Sequence, residues 1–378
     1  MEWPQPSPDA LAHSAALSAH IRNHIVESGG WIPFAEYMEM ALYAPELGYY
    51  TAGSRKLGPE GDFTTAPELS PLFGQCIAQQ AKVLIEDGLP DILEVGAGSG
   101  VLAAGILEEL ECQDALPDHY FILELSPELR ARERDTLAAR VPHLLERVVW
   151  LNQLPPAFSG LVLGNEVLDA MPTEIVRRSS SGYEQGGVNE QLQWAFRPAL
   201  GELLETARAL DLPTDYQTEI SLVRKAFIAT LAQMLERGVL LFIDYGFPSR
   251  EFYHPQRNQG TLMCHYRHRA HDDPFYAPGL QDITAHVDFS AVAQVAHDAD
   301  AALMGYTTQA QFLINCGITD LLMRVSPADT ARYLPLASAA NKLLSPAEMG
   351  ELFKAIALGK GVGAPLLGFK SGDRSQTL

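Results

Sequence analysis

Two short stretches of this 378-residue chain combine residue types and spacings that can do chemistry. In the first, Glu94-Val-Gly96-Ala97-Gly98-Ser-Gly100, three alternating glycines join an apolar run ending at Val95 to a helical pattern beginning at Val101. Gly96 permits a tight strand-to-helix turn, Gly98 lets a ligand approach the backbone directly, and Gly100 allows close helix–strand packing. A dinucleotide fingerprint would carry its last glycine where Val101 stands, so the spacing turns away from nicotinamide cofactors. The second stretch, Asn165-Glu166-Val-Leu-Asp169-Ala-Met-Pro172, follows the apolar run Leu161 to Gly164, at the carboxyl edge where open α/β sheets bind ligands. On a helical turn Glu166 and Asp169 share a face, and both carboxylates can address one cationic group. The plainer account is a helix start, where the dipole favours acids. A guanidinium, with a pKa above about 12, would need carboxylates to orient it and disperse its charge more than a strong base.

Other constellations carry less. Cys264-His265, His268 and His271 are spaced like metal ligands, but one thiolate without a second pair is more often not a metal site. Asp282, His286 and Asp288 allow an acid–base or metal reading, and His286 equally allows a packing one. No serine sits in a G-x-S-x-G elbow, so a hydrolase lacks its nucleophile signal.

The elements that must hold these residues read as α/β. Apolar runs at Asp91 to Val95, His119 to Glu124, Arg147 to Leu151 and Leu161 to Gly164 alternate with helical patterns, as in a parallel sheet with right-handed crossovers. A helix is expected over Pro8 to Ser28, then a segment rich in aromatics, glycine and proline that includes Tyr43-Ala-Pro-Glu-Leu-Gly-Tyr-Tyr50. Segments of that kind often line sites, although packing is the commoner reason for any one aromatic. A polar-turned meander is expected over 174–196, a helix over 216–237, a buried strand over 239–244, and an irregular region over 245–282. Ala285 to Ala296 and Thr308 to Cys316 read as helices, and Ala364 to Lys370 as a terminal strand. The expected division is an N-terminal extension over 1–90 and a core over 91–378, with insertions near 174–215 and 247–285.

Composition excludes several classes. A formal net charge of −20 disfavours nucleic acid and anionic membranes, which need clustered Lys and Arg. The four separated cysteines suggest neither a disulfide framework nor a thiolate zinc cluster, and a reducing, cytoplasmic setting is expected. No run is long and apolar enough to span a bilayer.

The glycine loop resembles the first motif of class I methyltransferases. Four longer stretches look like one family within that class, the methyltransferases related to the mitochondrial complex I assembly factor that modifies arginine, together with their bacterial homologues. They are Gly61-Asp-Phe-Thr-Thr-Ala-Pro-Glu-Leu-Ser-Pro-Leu-Phe-Gly74, Glu94 to Gly100, Gly164 to Pro172, and Gly279-Leu-Gln-Asp-Ile-Thr-Ala-His-Val-Asp-Phe289. Asp244-Tyr-Gly246 and Gly305 to Phe312 also match. The resemblance implies a mostly parallel, seven-stranded Rossmann-like sheet with an added N-terminal helical region and internal insertions. It implies S-adenosylmethionine as cofactor, held by Glu94, Gly96, Ala97, Gly98, Gly100 and Glu124, with Phe63, Thr64, Thr65, Glu68 and Asn165 bordering it. Glu166, Asp169 and Asn165 would form the catalytic set, with Gln281, Asp282, His286 and Asp288 toward the substrate. Symmetric arginine dimethylation of a protein subunit is implied in the same way. A small-molecule methyltransferase, or an assembly factor that keeps the fold without catalysis, is the rival expectation, and a homodimer is left open.

Overall fold

A computed structural model describes residues 5–52 and 65–378. Within them the apolar runs form β1 (Asp91–Val95), β2 (His119–Leu123), β3 (Val148–Leu151), β4 (Phe158–Asn165) and the longer β5 (Leu235–Phe247). Two later strands, β6 (Ala302–Thr308) and β7 (Phe353–Lys360), complete a continuous sheet in the order β6-β7-β5-β4-β1-β2-β3. Strands β1 to β5 pair in parallel, and β7 runs antiparallel to both neighbours. A two-residue strand, Val287–Asp288, extends the pairing of β5. The strands read as near-continuous apolar runs because both faces of a parallel sheet are buried; Leu93, Ile122, Leu163 and Ile243 are all fully shielded. Helices α1 (Pro71–Glu86), α2 (Val101–Cys112) and α3 (Pro127–Arg140) contribute Phe73, Ile77, Leu107 and Leu137 to the same core.

The strand order decides where a ligand can sit. From β1 the chain moves outward to β3 on one side, then resumes at β4 on the other side of β1. The carboxyl ends of β1 and β4 therefore flank a topological switch point, where neighbouring crossovers diverge and leave a crevice.

This sheet belongs to a unit made of Thr64–Leu168, Ile228–Pro248 and Val287–Leu378. A second unit collects Met1–Phe63, Asp169–Phe227 and Ser249–His286. It contains the helices Pro8–Glu27 and Phe34–Tyr43. Its antiparallel sheet is ordered Trp31–Pro33, Gly182–Asn189, Glu174–Ser179, Tyr216–Ile220, with Trp194–Pro198 also on Gly182–Asn189. A smaller antiparallel sheet pairs Met263–Tyr266 with Arg269–His271 and Asp282–Thr284. Leu17, Ile21, Ile25, Phe34, Tyr37, Ile175 and Ile283 meet in its core.

Four local expectations change. The helix expected over 216–237 is a strand, Tyr216–Ile220, then a helix, Leu222–Met234, which leads directly into β5. The Ser221 hydroxyl accepts the Arg224 amide at 3.0 Å and so starts the helix six residues late. The region 245–282 is not irregular throughout, since it supplies strands to the smaller sheet. The helix expected from Ala285 begins at Phe289, where Asp288 caps it. The terminal strand is Phe353–Lys360, because only that run registers residue for residue against Gly238 to Tyr245. Ala364 to Lys370 instead makes the turn Leu367–Phe369.

Candidate active site

β1 opens at its carboxyl end into the glycine loop. Gly96, Gly98 and Gly100 adopt φ values of 67°, 60° and 77°, a left-handed series that side-chain-bearing residues resist. The constraint is steric at Gly100, where an added Cβ would lie 2.9 Å from the Cα of Glu133 on α3. The Gly96 amide donates to the Leu123 carbonyl at 3.1 Å, fixing the loop to the end of β2. Ala97 is buried. The Ser99 hydroxyl donates to Glu68, which lies on the short helix Ala66–Leu69, with Thr65 at its N-cap. Phe63 and Thr64 lie outside the described residues.

Three further carboxyl groups surround this loop. Glu94 is 2% exposed and accepts the Tyr120 hydroxyl at 2.7 Å. Burial raises its pKa to about 7, against the lowering effect of that bond. Glu124 follows β2 directly; its carboxylate accepts the Ser126 amide at 2.7 Å, and burial raises its pKa as well. Glu133 is fully buried and accepts the Trp150 indole N–H at 2.8 Å. Burial, and next the charge of Glu124, push it to about 8. Beside Glu124, Leu125 is left 75% exposed, an apolar side chain at the same sheet edge.

Across the switch point β4 ends at Asn165. Glu166 stands at φ 52° with its amide donating to the Ile243 carbonyl at 2.9 Å. Its carboxylate accepts from Asn165 Nδ2 at 3.1 Å and from the Ala66 amide at 3.3 Å. Asn165 Oδ1 is buried and has no hydrogen-bond partner among the described residues. The amides of Val167 and Leu168 both donate to Asp244 Oδ2, at 3.1 and 2.8 Å. The segment is a non-helical turn, so the shared helical face expected for Glu166 and Asp169 is absent.

The second unit holds the remaining site candidates, except Asp288. The buried Asp169 accepts the Ala285 amide on its carbonyl at 3.0 Å. Asp282 is buried and accepts the Tyr50 hydroxyl at 2.9 Å. Gln281 donates to the carbonyls of Asp273 and Pro274 at 3.1 and 2.9 Å. The His286 amide donates to Thr261 Oγ1 at 3.1 Å, and its carbonyl accepts from Arg224. Asp288 lies with the large sheet, where its carboxylate caps the helix Phe289–Asp298 through the amides of Ser290 and Ala291.

Residues 72–307 match a family model described as "putative S-adenosyl-L-methionine-dependent methyltransferase". The chain belongs to this family. Over its full length the methyltransferase is 51% identical to a Burkholderia thailandensis protein solved with S-adenosyl-homocysteine bound, covering all of that chain with a TM-score of 0.95. A mitochondrial relative from Drosophila melanogaster, named a protein arginine methyltransferase NDUFAF7 homolog, is 28% identical over 97% of this chain and 92% of its own. The Danio rerio protein arginine methyltransferase NDUFAF7 is 27% identical over 93% and 89%.

S-adenosylmethionine is accordingly the methyl donor. The groups at the switch point complement its chemistry: left-handed backbone amides suit a carboxylate, the unpartnered Asn165 oxygen suits an ammonium, and Glu124 suits vicinal hydroxyls. Sequence reasoning missed two residues here. Asp244 is signalled as an acid at the end of a buried strand and within the Asp244-Tyr-Gly246 stretch that matches the family, but without a role. Glu133 carries no signal, because it sits among the many charges of α3.

Proposed function

We propose that this methyltransferase transfers methyl groups to arginine side chains of a protein, with Glu166, Asp169 and Asn165 as its catalytic set. The observation that carries the reading is the fixed Glu166 carboxylate at the sheet edge, anchored by Asn165 and by the Ala66 amide. The names of the matched relatives support arginine as acceptor. Gly96, Ala97, Gly98 and Gly100 would hold the methionine part of the cofactor and Glu124 its ribose, with Thr65, Glu68 and Asn165 bordering it. Phe63 and Thr64 are assigned to the same border by resemblance, and Glu94 would set the loop from below.

The bound cofactor supplies a methyl on a sulfonium, open to in-line displacement. The chain's own task is then alignment and charge management. Glu166 would turn one guanidinium nitrogen lone pair toward the methyl and disperse the cation's charge, and a carboxylate would take the proton released after transfer. The family resemblance assigns Asp169 to the same catalytic set and Gln281, Asp282 and His286 to the acceptor side. Symmetric dimethylation is the product the resemblance favours. The unpaired cysteines favour a reducing, cytoplasmic setting, whereas the matched relatives are named mitochondrial.

Incubation with labelled S-adenosylmethionine and arginine-containing peptides, followed by total hydrolysis, is expected to yield labelled methylarginine. Label found on carboxylates or small metabolites, with none on arginine, overturns the acceptor assignment.

A further inference from the structure

Helix Phe34–Tyr43 ends in a turn that folds back on it. The Tyr49 and Tyr50 amides donate to the Ala41 and Leu42 carbonyls at 2.9 and 2.8 Å. Gly48 permits the turn, since a Cβ there would sit 2.6 Å from the Ala44 nitrogen. The fold-back brings the Tyr43 and Tyr50 rings into a stack, with centroids 5.5 Å apart and planes 20° apart. Tyr49 meets Tyr50 edge-on at 5.0 Å.

Both stacked rings are held by their hydroxyls. Tyr43 donates to the Ala170 carbonyl at 3.0 Å, and Tyr50 donates to Asp282 at 2.9 Å. A tyrosine recruited only for packing would be buried, yet Tyr43 remains 38% exposed. Two buried acids lie close by. Burial, then the Asp282 carboxylate, and less strongly Tyr43, Tyr49 and Asp169, raise the Tyr50 phenol well above its ordinary range. The phenol therefore stays protonated at neutral pH and keeps donating. Aromatic faces with a fixed orientation, set in the negative potential of two carboxylates, are what a planar cation requires.

We propose that Tyr43 and Tyr50 form an aromatic platform, backed by Asp282 and Asp169, that binds the acceptor's guanidinium and sets the enzyme's preference for arginine. This rests on the arginine reading above and adds the residues that select it. Selection works through shape as well as charge: a flat guanidinium stacks on a tyrosine face, whereas a compact, strongly hydrated lysine ammonium gains less there.

The test titrates Nα-acetyl-arginine amide into the full-length protein saturated with S-adenosylhomocysteine, comparing wild type with Tyr43→Leu, Tyr50→Leu and Tyr43→Phe. Thermal melting and S-adenosylhomocysteine affinity verify that each variant is folded. The leucine variants are expected to bind the probe about five- to thirty-fold more weakly, and Tyr43→Phe to retain most of the affinity. With an arginine peptide as substrate, the leucine variants should raise KM more than they lower kcat. Wild-type affinity in both leucine variants, or no binding of the probe to wild type, overturns the platform. Probe binding that depends on the tyrosines, in a protein that methylates no arginine, supports the platform and overturns the acceptor assignment instead.

Discussion

Gly100 and Glu133 constrain each other, since the absent side chain of one makes room for the backbone of the other. Gly100→Ala is expected to cost about 1–3 kcal/mol in chemical denaturation and to weaken S-adenosylmethionine binding in calorimetry, because neither α3 nor the left-handed loop can yield cheaply. Glu133 itself is a buried acid raised from 4.5 to about 8. The folded protein thus keeps a proton that the unfolded chain releases above pH 4.5, and the associated stability is full below that pH and is lost as pH rises through about 8. In Glu133→Gln the fall in unfolding free energy between pH 4.5 and pH 8.5 should shrink by about 2–4 kcal/mol; an unchanged pH profile would refute the buried titration. Glu94 and Glu124 could be singled out in the sequence because they lie at the carboxyl ends of apolar runs. Glu133 was not, because a charge inside an amphipathic helix looks the same whether it faces water or the sheet.

Among elements, the turn after β4 depends on β5. Asp244 collects the Val167 and Leu168 amides, and the Ile243 carbonyl takes that of Glu166, so the second strand holds the turn that carries Glu166 at the end of the first. Asp244→Ala is expected to lower kcat by about 10- to 100-fold while S-adenosylmethionine affinity changes little, since a misplaced Glu166 affects alignment more than cofactor contact. Equal losses in kcat and in cofactor affinity would show instead that the whole sheet edge had collapsed. Strands β1 to β5 and the meander were readable from their apolar periodicity. Tyr216–Ile220 was not, because its buried residues continue into the helix Leu222–Met234 with only Ser221 to mark the change. β7 was missed for a related reason: Phe353–Lys360 is a short run of Ala, Ile and Leu between polar ends, and only its partners β5 and β6 identify it as a strand.

For the whole molecule, a net charge of −20 should draw a cationic acceptor in and repel nucleic acid. The KM for an arginine-rich peptide is therefore expected to rise about three- to tenfold between 50 and 300 mM salt, as screening shortens the reach of that field. A salt-independent KM would place recognition entirely in local contacts. The residue order alone determined the α/β class and the left-handed glycine turn after β1, because these follow from periodicity and from which residues tolerate left-handed backbone. It also carried the family, through stretches spread from Gly61 to Phe289. Only the tertiary structure decided that three distant segments, Met1–Phe63, Asp169–Phe227 and Ser249–His286, build one unit. It alone sent Asp288 to cap a helix while Asp282 holds Tyr50. Such assignments depend on long-range antiparallel register and on which acid meets a donor, and neither is encoded in local spacing.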